Sequence, residues 1–356
     1  MKETALRPIK MKLDIYGSGN YNGKTIPFPN VYIDDALSHN ILYYCYEEAG
    51  SVEDLAKVCG VPAYYVEDRI NNLVMREALV EVAKGKYRTD FIIWSDKYGI
   101  YSEENAEKIL LPIIDELLTA INRIADEAGK IEFYKGDRNE NDLWYLYGVM
   151  AFDYARKHYC RLPYPRFKKK YDGHEWNYIG NMETGKHCRI SMATQKSTNW
   201  GGEKYAFISY SSISGSKVRP MMYNNWIDAC IDIVYKGGTE DVYSVADAIS
   251  AEYIIRNDDG TFTVTIPAFT REEKVAFDTL AEKYLAPLMP EYSQIVDEFV
   301  RGYKRLFPKH LSDDADRMCN NMFMGMYSVI VEYAQRTGKG PMPSENCFCD
   351  VMIQHE

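Results

Sequence analysis

Between Ser51 and Trp94 the spacing of apolar residues changes once, at Leu79, and that change constrains the fold more than any other feature. Before it, Val52, Leu55, Ala56 and Cys59, then Val66, Ile70, Leu73 and Val74, recur at three and four residues, which places each set on one helical face. Ser51 can cap the first helix, Gly60 ends it and Pro62 opens the second. From Leu79 the period is two: Leu79, Val80 and Val82 precede Lys84-Gly85-Lys86, and Tyr87, Phe91 and Ile93 come after it. Gly85 then marks a hairpin tip. The second helix turns Tyr64, Tyr65, Asp68, Arg69, Asn71 and Asn72 outward. Two helices, a tight turn and a hairpin make the layout of a winged helix-turn-helix, with a helix over 34–49, closed by Gly50, as its first element.

The second half of the chain repeats this pattern. Gly85 and Gly260, Tyr87 and Phe262, Phe91 and Ile266, Trp94 and Phe269, Ser95 and Thr270, and Pro112 and Pro287 all stand 175 residues apart. A shared hairpin glycine and helix-breaking proline at constant spacing argue for duplication. The copies differ in length: Gly50 to Gly85 spans 35 residues and Gly237 to Gly260 only 23, a deficit of about one helix. The second copy is therefore expected to hold a helix over 225–235, a short piece capped by Ser244 and a hairpin, without a reading helix. Thr270 to Glu273 forms a capping box for the helix after that hairpin.

Around these copies, Leu110, Ile114, Leu117, Ile121, Ile124 and Ala128 form a seam on a long helix over 102–128 that Pro112 starts or kinks; an intrachain core and a dimer contact both fit it. Another helix runs over 142–158. Residues 1–30 read as an irregular arm or short strand pair. A basic run (Arg156, Lys157, Arg161, Arg166, Lys168, Lys169, Lys170) leads into the segment 163–222, which reads as a basic and β-rich, inserted antiparallel element. The expected fold is α+β, mainly α: duplicated winged-helix units each followed by long helices, with a central antiparallel β insertion. The divisions are 1–30, 31–101, 102–162, 163–222 and 223–356.

A chain of 356 residues suits two or three domains, and a net charge of −10 argues against general coating of nucleic acid. No apolar run reaches membrane-spanning length, so a cytoplasmic protein without a membrane partner is expected. Eight scattered cysteines suggest reduced, buried thiols. Cys347 and Cys349, with His355 nearby, lack further metal ligands at suitable spacing and read as a frayed tail. No phosphate loop, nucleophile elbow or paired metal-histidine helix occurs, and His187-Cys188 reads as a strand edge. No catalytic residue, metal or cofactor is expected.

Val52-Glu-Asp-Leu-Ala, Gly60-Val-Pro and Gly85-Lys-Tyr-Arg-Thr-Asp make the stretch 51–91 resemble the winged helix-turn-helix of bacterial transcription regulators in the broad MarR and ArsR style. More loosely, the duplicated layout resembles winged-helix proteins that accompany sigma factors in Gram-positive bacteria. The resemblance implies a regulator of transcription that binds double-stranded DNA. On that pattern Arg69, Asn71 and Asn72 would read bases, and Tyr64, Tyr65, Lys84, Lys86 and Arg88 would hold phosphates. One reading helix per chain would require a homodimer to recognise a palindrome. From Ala63 to Asp90 five basic residues are matched by five acidic ones, which leaves a non-catalytic protein-interaction module as the alternative. Trp176, Tyr178, Trp200, Tyr205 and Tyr210 could wall a pocket for a small aromatic effector, and packing explains them equally.

Overall fold

A computed structural model describes residues 11–17, 29–163, 169–171, 174–182, 192–211, 213, 216–217 and 226–355. It is a mixed α/β fold, mainly helical. In chain order the elements are β1 (Met11–Gly17), α1 (Ala36–Glu47), α2 (Val52–Cys59), α3 (Ala63–Met75), β2 (Leu79–Ala83), β3 (Lys86–Thr89), β4 (Ile92–Trp94), α4 (Asp96–Leu110), α5 (Ile114–Ala128) and α6 (Glu140–Tyr159). Then come β5 (Lys169–Tyr171), β6 (His174–Met182), β7 (Met192–Trp200), β8 (Glu203–Ser211), α7 (Trp226–Ile231), α8 (Val242–Ser250), β9 (Ile254–Arg256), β10 (Phe262–Val264) and β11 (Ala268–Phe269). The last are α9 (Arg271–Leu285), α10 (Met289–Lys304), α11 (Ser312–Cys319), α12 (Met322–Gly325), α13 (Tyr327–Thr337) and β12 (Asp350–His355).

These elements form two compact units, one of residues 1–104, 164–188 and 300–318 and the other of 105–163, 189–299 and 319–356. In the first unit, β6 pairs antiparallel with β1 and β5 and parallel with β4, while β2 and β3 form a separate hairpin. Ile41, Leu42, Val66, Ile70, Leu73, Leu79 and Ile92 are buried. In the second unit the sheet order is β11-β12-β8-β7, with β12 parallel to β11 and antiparallel to β8. Phe207 on that sheet packs edge-on against Trp226 and Tyr253.

Local chemistry explains the helix ends. Asp35 caps α1, and Ser51 with Asp54 makes a reciprocal capping box on α2, which Gly60 ends in the left-handed conformation. Thr270 and Glu273 form the expected box on α9. Pro112 lies between two helices rather than within one: α4 stops at Leu110 and α5 starts at Ile114, because proline lacks the N–H that a continuous helix needs. The seam residues from Leu110 to Ala128 are fully buried within the chain, so they are core.

The strands of 163–222 correct the expected insertion. They do not share one sheet: β5 and β6 join β1 and β4, whereas β7 and β8 join β12 and β11. The supposed arm contributes β1, and the supposed frayed tail contributes buried Cys347 and Cys349 and the inner strand β12. Seven described cysteines are free thiols, and burial pushes Cys45 up to about 12. His187 and Cys188 lie outside the described residues.

The 175-residue spacing recurs in backbone geometry. Glu77 and Glu252 both take positive φ, at 57° and 61°, as do Gly85 and Gly260. The amide of Ala78 donates to the carbonyl of Leu73 at 2.8 Å, and that of Tyr253 to Ala248 at 2.8 Å. Likewise Asp90 donates to Ala78 and Thr265 to Tyr253. At this spacing α4 and α9 coincide over their full lengths, and α8 falls on the last nine of the thirteen residues of α3. At the same spacing α2 falls on residues 227–234, which α7 and the helical turn that continues it to Lys236 occupy, so the second unit holds a shortened counterpart of α3 where the sequence led to the expectation of no reading helix. Asp241, not Ser244, caps α8, accepting from the amides of Tyr243 and Ser244.

Candidate interaction surface

Helix α3 presents two faces. Val66, Ile70 and Leu73 are buried as their spacing predicts, but Val74 lies outward. One stripe of the helix is engaged inside the first unit. The Arg69 guanidinium lies 3.6 Å from the Asp35 carboxylate, Asn72 Nδ2 donates to the Tyr32 carbonyl at 2.7 Å, and Arg76 sits over the Tyr32 ring at 4.1 Å. Asn72 therefore does not face outward as expected, because its amide is used to hold the 3-10 turn Pro29–Tyr32.

The other stripe is open to solvent. Tyr64, Asp68, Asn71 and Met75 succeed one another at helical spacing, all exposed, with Tyr65 and Glu67 alongside. Tyr64 is 61 % and Met75 66 % exposed. The Tyr64 and Tyr65 rings lie 4.0 Å apart, and a hydrogen bond with Tyr65 holds the Tyr64 hydroxyl above its ordinary range.

The hairpin beside α3 is anchored at its base. Gly50 and Tyr87 exchange two backbone hydrogen bonds of 2.9 Å, and Thr89 Oγ1 donates to the Leu42 carbonyl. Lys86 Nζ is 2.6 Å from Asp54 Oδ2; this ammonium, with the Ser51 hydroxyl, holds the Asp54 carboxyl well below the usual range. Lys84 stays exposed at the tip, next to Gly85, whose amide donates to Glu81 Oε1. Arg88 is half-buried, with its Nε unpartnered among the described residues. A register shift between Glu81 and Ala83 accompanies an outward Val82, 48 % exposed.

The aromatic residues expected to wall an effector pocket are not brought together. Tyr178 is in the first unit, packed on Phe91 and donating to the Arg76 carbonyl. Tyr205 and Tyr210 are in the second, Tyr205 against Tyr235 and Tyr210 with its hydroxyl toward Asp153. The side chains of Trp176 and Trp200 lie outside the described residues.

The basic run is also redistributed. Arg156 is buried, bonding Asp153 at 2.8 Å and Asn320 at 2.9 Å, and Lys157 pairs with Asp153. Arg166 and Lys168 lie outside the described residues. Among the described residues no group of His, Cys, Asp and Glu could hold a metal ion, and no helix is long and apolar enough to cross a membrane.

Sequence reasoning missed Val74, Met75 and Val82 as surface residues. Met75 could have been found, since it continues the stripe of Tyr64, Asp68 and Asn71. Comparison of the chain with protein-family models, curated proteins and solved structures gives no match.

Proposed function

We propose that residues 36–94 form a winged helix-turn-helix used as a non-catalytic protein-docking module, and that residues 226–269 are a reduced copy. The recurrence of turn, hairpin and hydrogen bonds at 175 residues supports the pairing. The docking reading is carried by one observation: the open stripe of α3 holds tyrosines, Glu67, Asp68, Asn71 and Met75 but no cation, Arg69 being turned to Asp35. Such a face repels phosphate and combines exposed apolar area with negative charge, the complement of a basic, amphipathic protein segment. A component of the transcription machinery is the partner that the sequence resemblance points to.

DNA binding by a transcriptional regulator is the second reading. Asn71 and Lys84, both exposed, are the residues that favour it, and a palindromic site would call for a homodimer. Two measurements separate the readings. A photoreactive side chain at position 75 is expected to crosslink a protein, with a yield that falls severalfold in Glu67→Lys/Asp68→Lys and does not respond to duplex DNA. A sequence-selective complex with genomic DNA fragments that Asn71→Ala abolishes would instead establish base reading.

A further inference from the structure

The second unit holds a polar cleft that core packing does not account for. Residues directly paired across antiparallel strands point their side chains to the same face. Asn199 pairs with Lys204 and Lys204 with His355, which sets three polar side chains in one row across β7, β8 and β12. Ser197 and Gln195 stand at alternate positions of β7, on the same face, and Gln195 Nε2 donates to Ser197 Oγ at 3.0 Å. These residues line an open cleft of about 290 Å³, which is the size of a small metabolite. Farther along the same face Ala206, Ile208, Val351 and Ile353 are buried, and on the other face Phe207 meets Trp226 and Tyr253, so the polar row is confined to the end of the sheet.

Lys204 places an ammonium in the row itself, in a chain that is negative overall. Burial first, and then the ammonium groups of Lys157, Lys274 and Lys204, keep the His355 imidazole below its ordinary range. Lys157 has Asp153 as its counter-charge and Lys274 has Asp278. Lys204 has no ion pair among the described residues and is exposed. An exposed ammonium without an ion pair among the described residues, a neutral imidazole and three neutral polar side chains on one shelf match an anion with further polar groups, not a cation or an apolar ring.

We propose that this cleft binds a small oxyanion ligand, a phosphate or carboxylate, with the Lys204 ammonium and a His355 ring N–H donating to the anion and Asn199, Ser197 and Gln195 contacting the remainder. The site is independent of the docking face on α3, which belongs to the other unit. The test titrates the full chain with inorganic phosphate and, separately, succinate at constant ionic strength, tracking the heat of binding and the His355 imidazole resonances, which are assigned with His355→Gln. Saturable binding of either anion, with those resonances moving, is expected. Lys204→Gln should weaken it about tenfold or more while leaving the melting temperature unchanged, since the side chain is exposed. Phosphate binding alone assigns a phosphoryl ligand, and succinate binding alone a carboxylate. Absence of saturable binding by both, or binding that Lys204→Gln leaves intact, overturns the site.

Discussion

The two helix-hairpin segments, 63–94 and 238–269, share a turn, a hairpin and their hydrogen bonds, yet they fill and expose themselves differently. Where the first has the small buried Ala78, the second has Tyr253, stacked on Trp226 with ring centroids 4.1 Å apart. Helix α2, with Leu55 and Ala56 buried, precedes the first segment, and α7, with Trp226, Cys230 and Ile231 buried, precedes the second. A pair of large rings thus fills the second core beside the turn, where the first has a single methyl group. The outward faces also diverge. The open stripe of α3 is acidic and aromatic, whereas α8 exposes Val242, Tyr243 and Ile249 with no charge among them. Backbone-determined parts stayed constant, and side-chain-determined parts did not.

The sharpest way to break this comparison is to remove the rings. Tyr253→Ala is expected to cost ~4 kcal/mol, and Leu55→Ala ~3 kcal/mol. Each loss should appear in hydrogen exchange of the neighbouring hairpin, β9–β10 or β2–β3. A Tyr253→Ala variant with nearly unchanged exchange would remove the idea that the ring pair holds the second hairpin.

A smaller effect tests the shared turn. Glu77 and Glu252 occupy a left-handed conformation that costs a side chain more than glycine. Glu77→Gly and Glu252→Gly should therefore each stabilise by about 0.5 kcal/mol, after glycine's greater freedom in the unfolded chain is set against the relief. Denaturant midpoints measure both. Opposite signs at the two positions would show that the turns are not equivalent.

The smallest effect is the response to acid. Asp54, next to Lys86 and Ser51, and Asp241, bonded by the Ser244 hydroxyl and amide, both have depressed carboxyl ranges. Their contributions are complete above the unfolded range of about pH 4 and are lost as pH falls through the lower folded values. The stability difference between the native chain and Asp54→Asn should accordingly shrink in acid, as should that for Asp241→Asn. Melting temperatures across pH check this, and a difference that persists at low pH would contradict it.

The helices between Ala36 and Met75, the capping box on α9 and the 175-residue spacing were legible in the sequence, because each depends on neighbours within a few residues or on a simple offset. Strand partnership was not. Nothing in the alternation of Trp176 to Met182 says that β6 will pair with residues 11–17, since pairing is set by distant chain. The candidate face was legible in part: spacing put Tyr64 and Asn71 outside correctly, but Arg69 and Asn72 were claimed by Asp35 and Tyr32, more than thirty residues upstream. Val82 was misplaced because a register shift in a hairpin leaves little trace in composition.

The position of β12 bears on how the protein is made. Synthesis proceeds from the amino end, and this strand leaves the ribosome after every other element described, yet it belongs between β8 and β11. Until it arrives, those two strands wait with unsatisfied edges, a state that invites association with other nascent chains. Premature termination before Asp350 would therefore disable a sheet whose remaining strands are all complete, and chaperone capture should be longest for this part of the molecule.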